Sequence, residues 1–137
     1  MIVTSDIANI LHKDCEFFGI KIVPQGKTIT DIFTSDKGLT EERIVIHTKA
    51  QTPSKIWRKG FVEANLCVPD KQSYANTIRL NELERMAQKN LDNVCSTYDG
   101  TLYFYSINSI GVEEDKPLKC HYVNVRILFE VLNTKEK

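Results

Sequence analysis

Cys67, Cys120, His47 and His121 are the residues whose types could carry covalent chemistry. A thiol becomes a nucleophile when an imidazole takes its proton, and such a pair would make the chain a small hydrolase. All four residues fall in or beside strand-like runs, so the pairing depends on which strands become neighbours. The local spacing lends it no support. No HxxE, HxH or HExxH occurs around His12, His47 or His121, and no GxxxxGK[ST], GxGxxG or GxSxG occurs anywhere. Cys15, Cys67, Cys95 and Cys120 are too far apart in sequence for a CxxC half-site, so a structural zinc site is not expected and buried free thiols are. The acidic pairs Glu41-Glu42 and Glu113-Glu114-Asp115 fall in expected connections, where carboxylates are ordinarily solvated. No cofactor, metal or catalytic residue is expected.

The second chemistry is electrostatic. From Arg43 to Val62 the chain holds Arg43, Lys49, Lys55, Arg58 and Lys59 and no acidic residue, together with the single tryptophan, Trp57. Within "KIWRKGFVEANLCVPD", Lys55, Trp57, Arg58 and Lys59 form a basic aromatic turn. Such a turn can meet phosphates and stack on a base, and the chain would then be a small nucleic-acid-binding module using 49–60. It can also meet an acidic protein surface. The balance of charge favours a protein. Lys and Arg total 18, Asp and Glu total 18, and the net charge is zero, whereas a dedicated nucleic-acid binder is usually basic.

The elements that position these residues read as one α+β domain over 1–137, with an ordered core over 5–133 and a frayed tail at 134–137. The 42% hydrophobic and 26% charged composition is that of an ordinary globular chain. No apolar run approaches the roughly 20 residues of a membrane span, and the N-terminus lacks the pattern of a signal peptide, which implies an intracellular origin. Ser5 is placed to cap a first helix whose face carries Ile7, Ile10, Leu11, Cys15 and Phe18, closed by Gly19. A short strand is expected at 20–23 and a long loop, or a ragged strand, over 27–42. Strands follow at 43–48 and 61–68, the second presenting Val62, Ala64, Leu66 and Val68 to the core. A second helix is expected over 73–94, capped by Ser73 or Asn76, with the stripe Leu80, Leu83, Ala87, Leu91 and Val94. After an Asp99-Gly100 turn come strands at 101–110 and 119–133, joined by the acidic GVEEDKP. In the last strand Val123, Val125, Ile127, Phe129 and Val131 alternate with Tyr122, Asn124, Arg126 and Glu130, so one face is buried and the other is wet or shared with a partner. The expected fold is therefore a mostly antiparallel sheet of about five strands with two helices packed on one face, in the order α-β-β-β-α-β-β.

This layout resembles the tail-terminator and tail-completion proteins of long-tailed bacteriophages, the minor-capsid-like proteins that join head and tail. The likeness rests on the helix-first α+β order, on "WRKGFVEANLCVPD" followed by the helix "TIRLNELERMAQKNL", and on the closing strand "YVNVRILFEVLN". It covers about 5–133. The resemblance implies a non-enzymatic structural protein whose copies form a ring, typically a hexamer, that caps the tail tube and meets the head connector. It also implies a virion component assembled in the cytoplasm of a bacterial host. Under it Lys55, Trp57, Arg58 and Lys59 become a protein-contact turn, with 27–42 as a second contact segment.

Overall fold

The computed structural model of the protein describes residues 1–29, 38–52 and 57–132. Helix α1 (Thr4–Asp14) and a 3-10 turn (Glu16–Phe18) precede strands β1 (Arg43–Thr52) and β2 (Trp57–Pro69). Helix α2 (Thr77–Asn90) leads to β3 (Val94–Tyr98), β4 (Thr101–Asp115) and β5 (Cys120–Leu132). The strands form one sheet in the order β1-β2-β5-β4-β3, with every neighbouring pair antiparallel. A β1–β2 hairpin and a β3–β4–β5 meander are thus zipped together along β2 and β5, and α2 carries the chain from one to the other.

Both helices lie on one side of this sheet. Ile7, Ile10, Leu11, Cys15 and Phe18 from the first, and Leu80, Leu83, Ala87 and Leu91 from the second, share a core with Val62, Ala64, Leu66 and Val68 of β2 and with alternate residues of β5. Val123, Val125, Ile127, Phe129 and Val131 are each fully shielded from water. Burying such a side chain stabilises by about 1.5–3 kcal/mol, so this row anchors the sheet to the helices. Tyr105 also lies here, fully buried, and its hydroxyl donates to Asp14 Oδ2 at 2.6 Å.

Several boundaries differ from the sequence expectation, each for a local reason. The cap of α1 is Val3 rather than Ser5, because Asp6 reaches back to accept from the Val3 backbone N–H at 2.9 Å. Asn76, not Ser73, caps α2, accepting from Arg79 N at 3.3 Å. That helix stops at Asn90 rather than 94. Asn93 takes a left-handed φ of 53°, a conformation Asn tolerates, and the β-branched Val94 then begins an added strand. The expected strand at 20–23 reduces to one parallel bridge, Ile22 to Ile44. GVEEDKP is mostly strand, since β4 runs on to Asp115 and only 116–119 turn. The Asp99-Gly100 turn forms as expected, with both residues at positive φ, as a two-residue hairpin requires. Of the 27–42 segment, 30–37 lie outside the described residues, as do 133–137. Among the described residues no helix is long and apolar enough to cross a membrane.

Candidate functional site

β2 carries the basic aromatic residues, and its pleat splits them. Trp57, Arg58 and Lys59 are not a turn: they open β2, paired with Leu132, Val131 and Glu130 of β5. Lys55 lies outside the described residues. Alternation sends Trp57 and Lys59 to the side away from the helices and Arg58 to the helix side. There the Arg58 guanidinium sits half-buried, with Nη1 3.5 Å from the carbonyl of Ile2. Lys59 Nζ meets Glu130 Oε1 at 3.2 Å, Lys49 Nζ meets Glu63 Oε2 at 3.2 Å, and Arg43 meets Glu41 at 2.9 Å. Strand pairing thus brings Glu63 to Lys49 and Glu130 to Lys59, and Glu41 reaches Arg43 from two residues away, so three cations of the acid-free segment are neutralised rather than presented to a phosphate backbone.

The side away from the helices has two zones. At the Pro69 end, residues 23–29 and 38–39 fold over it. Val23, Leu39, Val45, Cys67, Leu118 and Cys120 make a second small core there, flanked by Ile29 and Tyr122. In the middle, the Asn124 amide donates to Glu63 Oε1 at 2.9 Å and to Asn65 Oδ1 at 2.7 Å. That hydrogen bond first, and Lys49 with it, hold the Glu63 carboxyl below its ordinary value against the opposing effect of burial. Partial burial first, then Lys49, holds His47 below its own. The Arg126 guanidinium lies 4.0 Å over the Phe61 ring.

The Trp57 end is the uncovered zone. Trp57 pairs with Leu132, and Leu102 follows on β4 just before the Tyr103–Val131 pair and opposite Thr97 of β3. The next rows add Phe104, Phe61 and Leu128, with the Lys59–Glu130 ion pair between them. Trp57 is 36% exposed and Leu102 38%, and Phe61, Phe104, Leu128 and Leu132 are half-buried. No described segment lies across this row, which makes it the candidate contact surface.

The thiols and imidazoles do not assemble into a nucleophile and base. His121 pairs with Val68 and faces the helix side, whereas Cys67 and Cys120 face the other. His47 does share a cleft of about 240 Å³ with Cys67, but Val45 and Asn65 stand between them. Cys67 lies opposite Arg43, four residues along β1 from His47, a separation of about 14 Å at strand spacing. The neighbouring Cys120 thiol and burial push the Cys67 thiol up, away from the reactive thiolate. Burial pushes Cys15 up to about 12, with Asp14 adding to it.

Sequence reasoning missed one cluster. Asp70 Oδ1 lies 2.6 Å from His121 Nδ1, and Glu114 Oε2 lies 3.7 Å from Nε2. These three are the described residues that could hold a metal ion together. The signal in the sequence is faint, because Asp70 follows the end of one strand, Glu114 falls in a stretch whose composition suits a connection, and 51 residues separate Asp70 from His121. Lys116 and Lys119 line the same cleft of about 340 Å³, and their charge competes with a cation there. The arrangement serves first to tie the β2 exit to the β4–β5 turn, where Asp70 N also donates to Lys119 O at 3.0 Å.

No protein-family model matches the chain, and no curated protein matches it. One solved structure, of a protein that bears only a serial designation, is similar with a TM-score of 0.60 and 13% sequence identity, covering 99% of this chain and 100% of that one. At so low an identity the likeness speaks for the fold over its whole length.

Proposed function

We propose that the chain is a structural subunit of a ring, similar to phage tail terminators, whose copies cap the tail tube and join it to the head connector. It is then a virion component put together in the host cytoplasm. The supporting observation is the uncovered end of the sheet. Trp57, Leu102, Leu132, Phe104, Phe61 and Leu128 form an aromatic and aliphatic row, with one closed ion pair among them and ion-paired residues around it. Aromatic residues with neutralised charges at the centre are the composition of a protein contact rather than of a nucleic-acid groove. The role requires no catalysis, and the separation of Cys67 from His47 and His121 suits it.

The test is size-exclusion chromatography with light scattering over a concentration series, alongside binding to tail tubes that lack their terminator. Rings of several chain masses that bind tube ends are expected. A chain that stays monomeric at high concentration and ignores tube ends overturns the reading.

A further inference from the structure

The sheet has two edges, and they are defended differently. β1 is guarded three ways. Residues 21–23 lie beside it, with Val23 N donating to Ile44 O at 2.8 Å and Ile44 N to Lys21 O at 3.0 Å. A register shift between Thr48 and Gln51 bulges it. Lys49 adds a charge on its open half. Straps, bulges and lysines are the devices by which natural sheets prevent edge pairing. β3 has none of them. Its sequence, VCSTY, holds no charge and no proline, its ladder to β4 is unbroken, and Cys95, Ser96 and Thr97 are exposed. Asn9, Lys13 and Asp14 of α1 share a cleft of about 220 Å³ with Ser96, Thr97 and Tyr98, but among the described residues no backbone hydrogen bond reaches the outer side of β3.

We propose that this edge pairs antiparallel with the same strand of a second copy, so that two five-stranded sheets become one across a two-fold axis at Ser96. The sequence is its own complement in that register. Val94 of one copy stands opposite Tyr98 of the other, twice, and β-branched residues against aromatics are favourable cross-strand pairs. Cys95 stands opposite Thr97, and the small Ser96 opposite itself. No like charges meet within the five residues. Asp92 and Asp99 flank them at the two ends, so the association strengthens as salt screens these carboxylates. A strand-addition contact draws its affinity from main-chain hydrogen bonds, which β3 leaves unmade on one side. The inference goes beyond the ring reading and stands or falls separately from it: neighbours round a cyclic ring meet through two different surfaces, whereas a two-fold contact at Ser96 joins copies in pairs.

Two variants test it. In a Cys95→Ser background, Ser96→Cys places one thiol opposite its copy at a spacing of about 4.5–5.5 Å, within disulfide range, while Cys15, Cys67 and Cys120 stay buried. Air oxidation, with dioxygen as oxidant, should give a dimer on a non-reducing gel, and Lys89→Cys on α2 in the same background should not. Ser96→Lys sets two ammonium groups opposite each other and should weaken association by roughly tenfold or more in sedimentation equilibrium, with an unchanged circular dichroism spectrum. Equal cross-linking at positions 96 and 89, or Ser96→Lys associating as the parent does, overturns the inference. Rings that persist in Ser96→Lys, with pairing between copies undiminished, leave the ring reading standing and remove the edge. Dimers broken by Ser96→Lys, with no rings at any concentration, do the reverse.

Discussion

On the side of β5 that faces the helices, five consecutive alternate residues from Val123 to Val131 are sealed from water, whereas on its other side Asn124, Arg126, Leu128 and Glu130 stay half-buried or exposed. The same strand thus belongs to two environments. The covered side is held by volume and close packing. The open side is held by pairs: Lys49 with Glu63, Asn124 with Glu63 and Asn65, Arg126 over Phe61, Lys59 with Glu130. Packing is intolerant of change and exposed pairs are not, so stability resides on the first side and in the small core at the Pro69 end of the second, and the rest of the second side is free to serve contact.

Substitutions should separate the two sides in a graded way. Phe129 stacks against Tyr103 and Tyr105, with ring centroids 5.3 and 5.5 Å away, and is fully buried. Phe129→Ala should cost about 3–5 kcal/mol in urea unfolding. An equal cost for Leu128→Ala, one residue away on the open side, would erase the distinction. Tyr105→Phe removes the hydroxyl that donates to Asp14 and should cost about 1.5–3 kcal/mol. The Tyr105 phenol is pushed up by burial first and then by Asp14, so it stays protonated and donating through the physiological range.

Asn124→Ala should cost about 0.5–1.5 kcal/mol at neutral pH and less in acid. Glu63 titrates below its ordinary 4.5 when folded, so its contribution is present above 4.5 and is lost as the pH falls through the lower folded value. An NMR titration of Glu63 in the variant should move back toward 4.5. Lys59→Ala, at the exposed ion pair with Glu130, should change stability by less than about 0.5 kcal/mol. It should nonetheless alter the concentration dependence of assembly, because it disturbs the centre of the apolar row.

The covered side was legible in the sequence because period-2 and period-3.6 patterns report burial directly. Val62, Ala64, Leu66 and Val68, the β5 row, and both helical stripes up to Leu91 lie where the periodicity places them. The exception is Val94, which continues the helical stripe in sequence but starts β3, because Asn93 breaks the backbone direction between them. The open side was far less legible. Lys49, Arg58 and Lys59 read as one basic patch, since local sequence cannot say which carboxylates strand pairing will deliver, and Glu63 and Glu130 arrive from β2 and β5. The split of Trp57 from Arg58 follows from the pleat only once residue 57 is known to lie within a strand. Asp70 and His121 meet through the β2–β5 register, which no single segment encodes.

Trp57 offers the most direct test of the central claim that the open end of the sheet is covered by another copy of the chain. As the only tryptophan, it reports on that surface alone. Its fluorescence should be followed with light scattering across a dilution series. Mass should rise to multiples of the chain while Trp57 emission shifts to the blue and iodide quenching falls in step. Mass that stays at one chain, or assembly that leaves Trp57 as accessible as in the monomer, would contradict it.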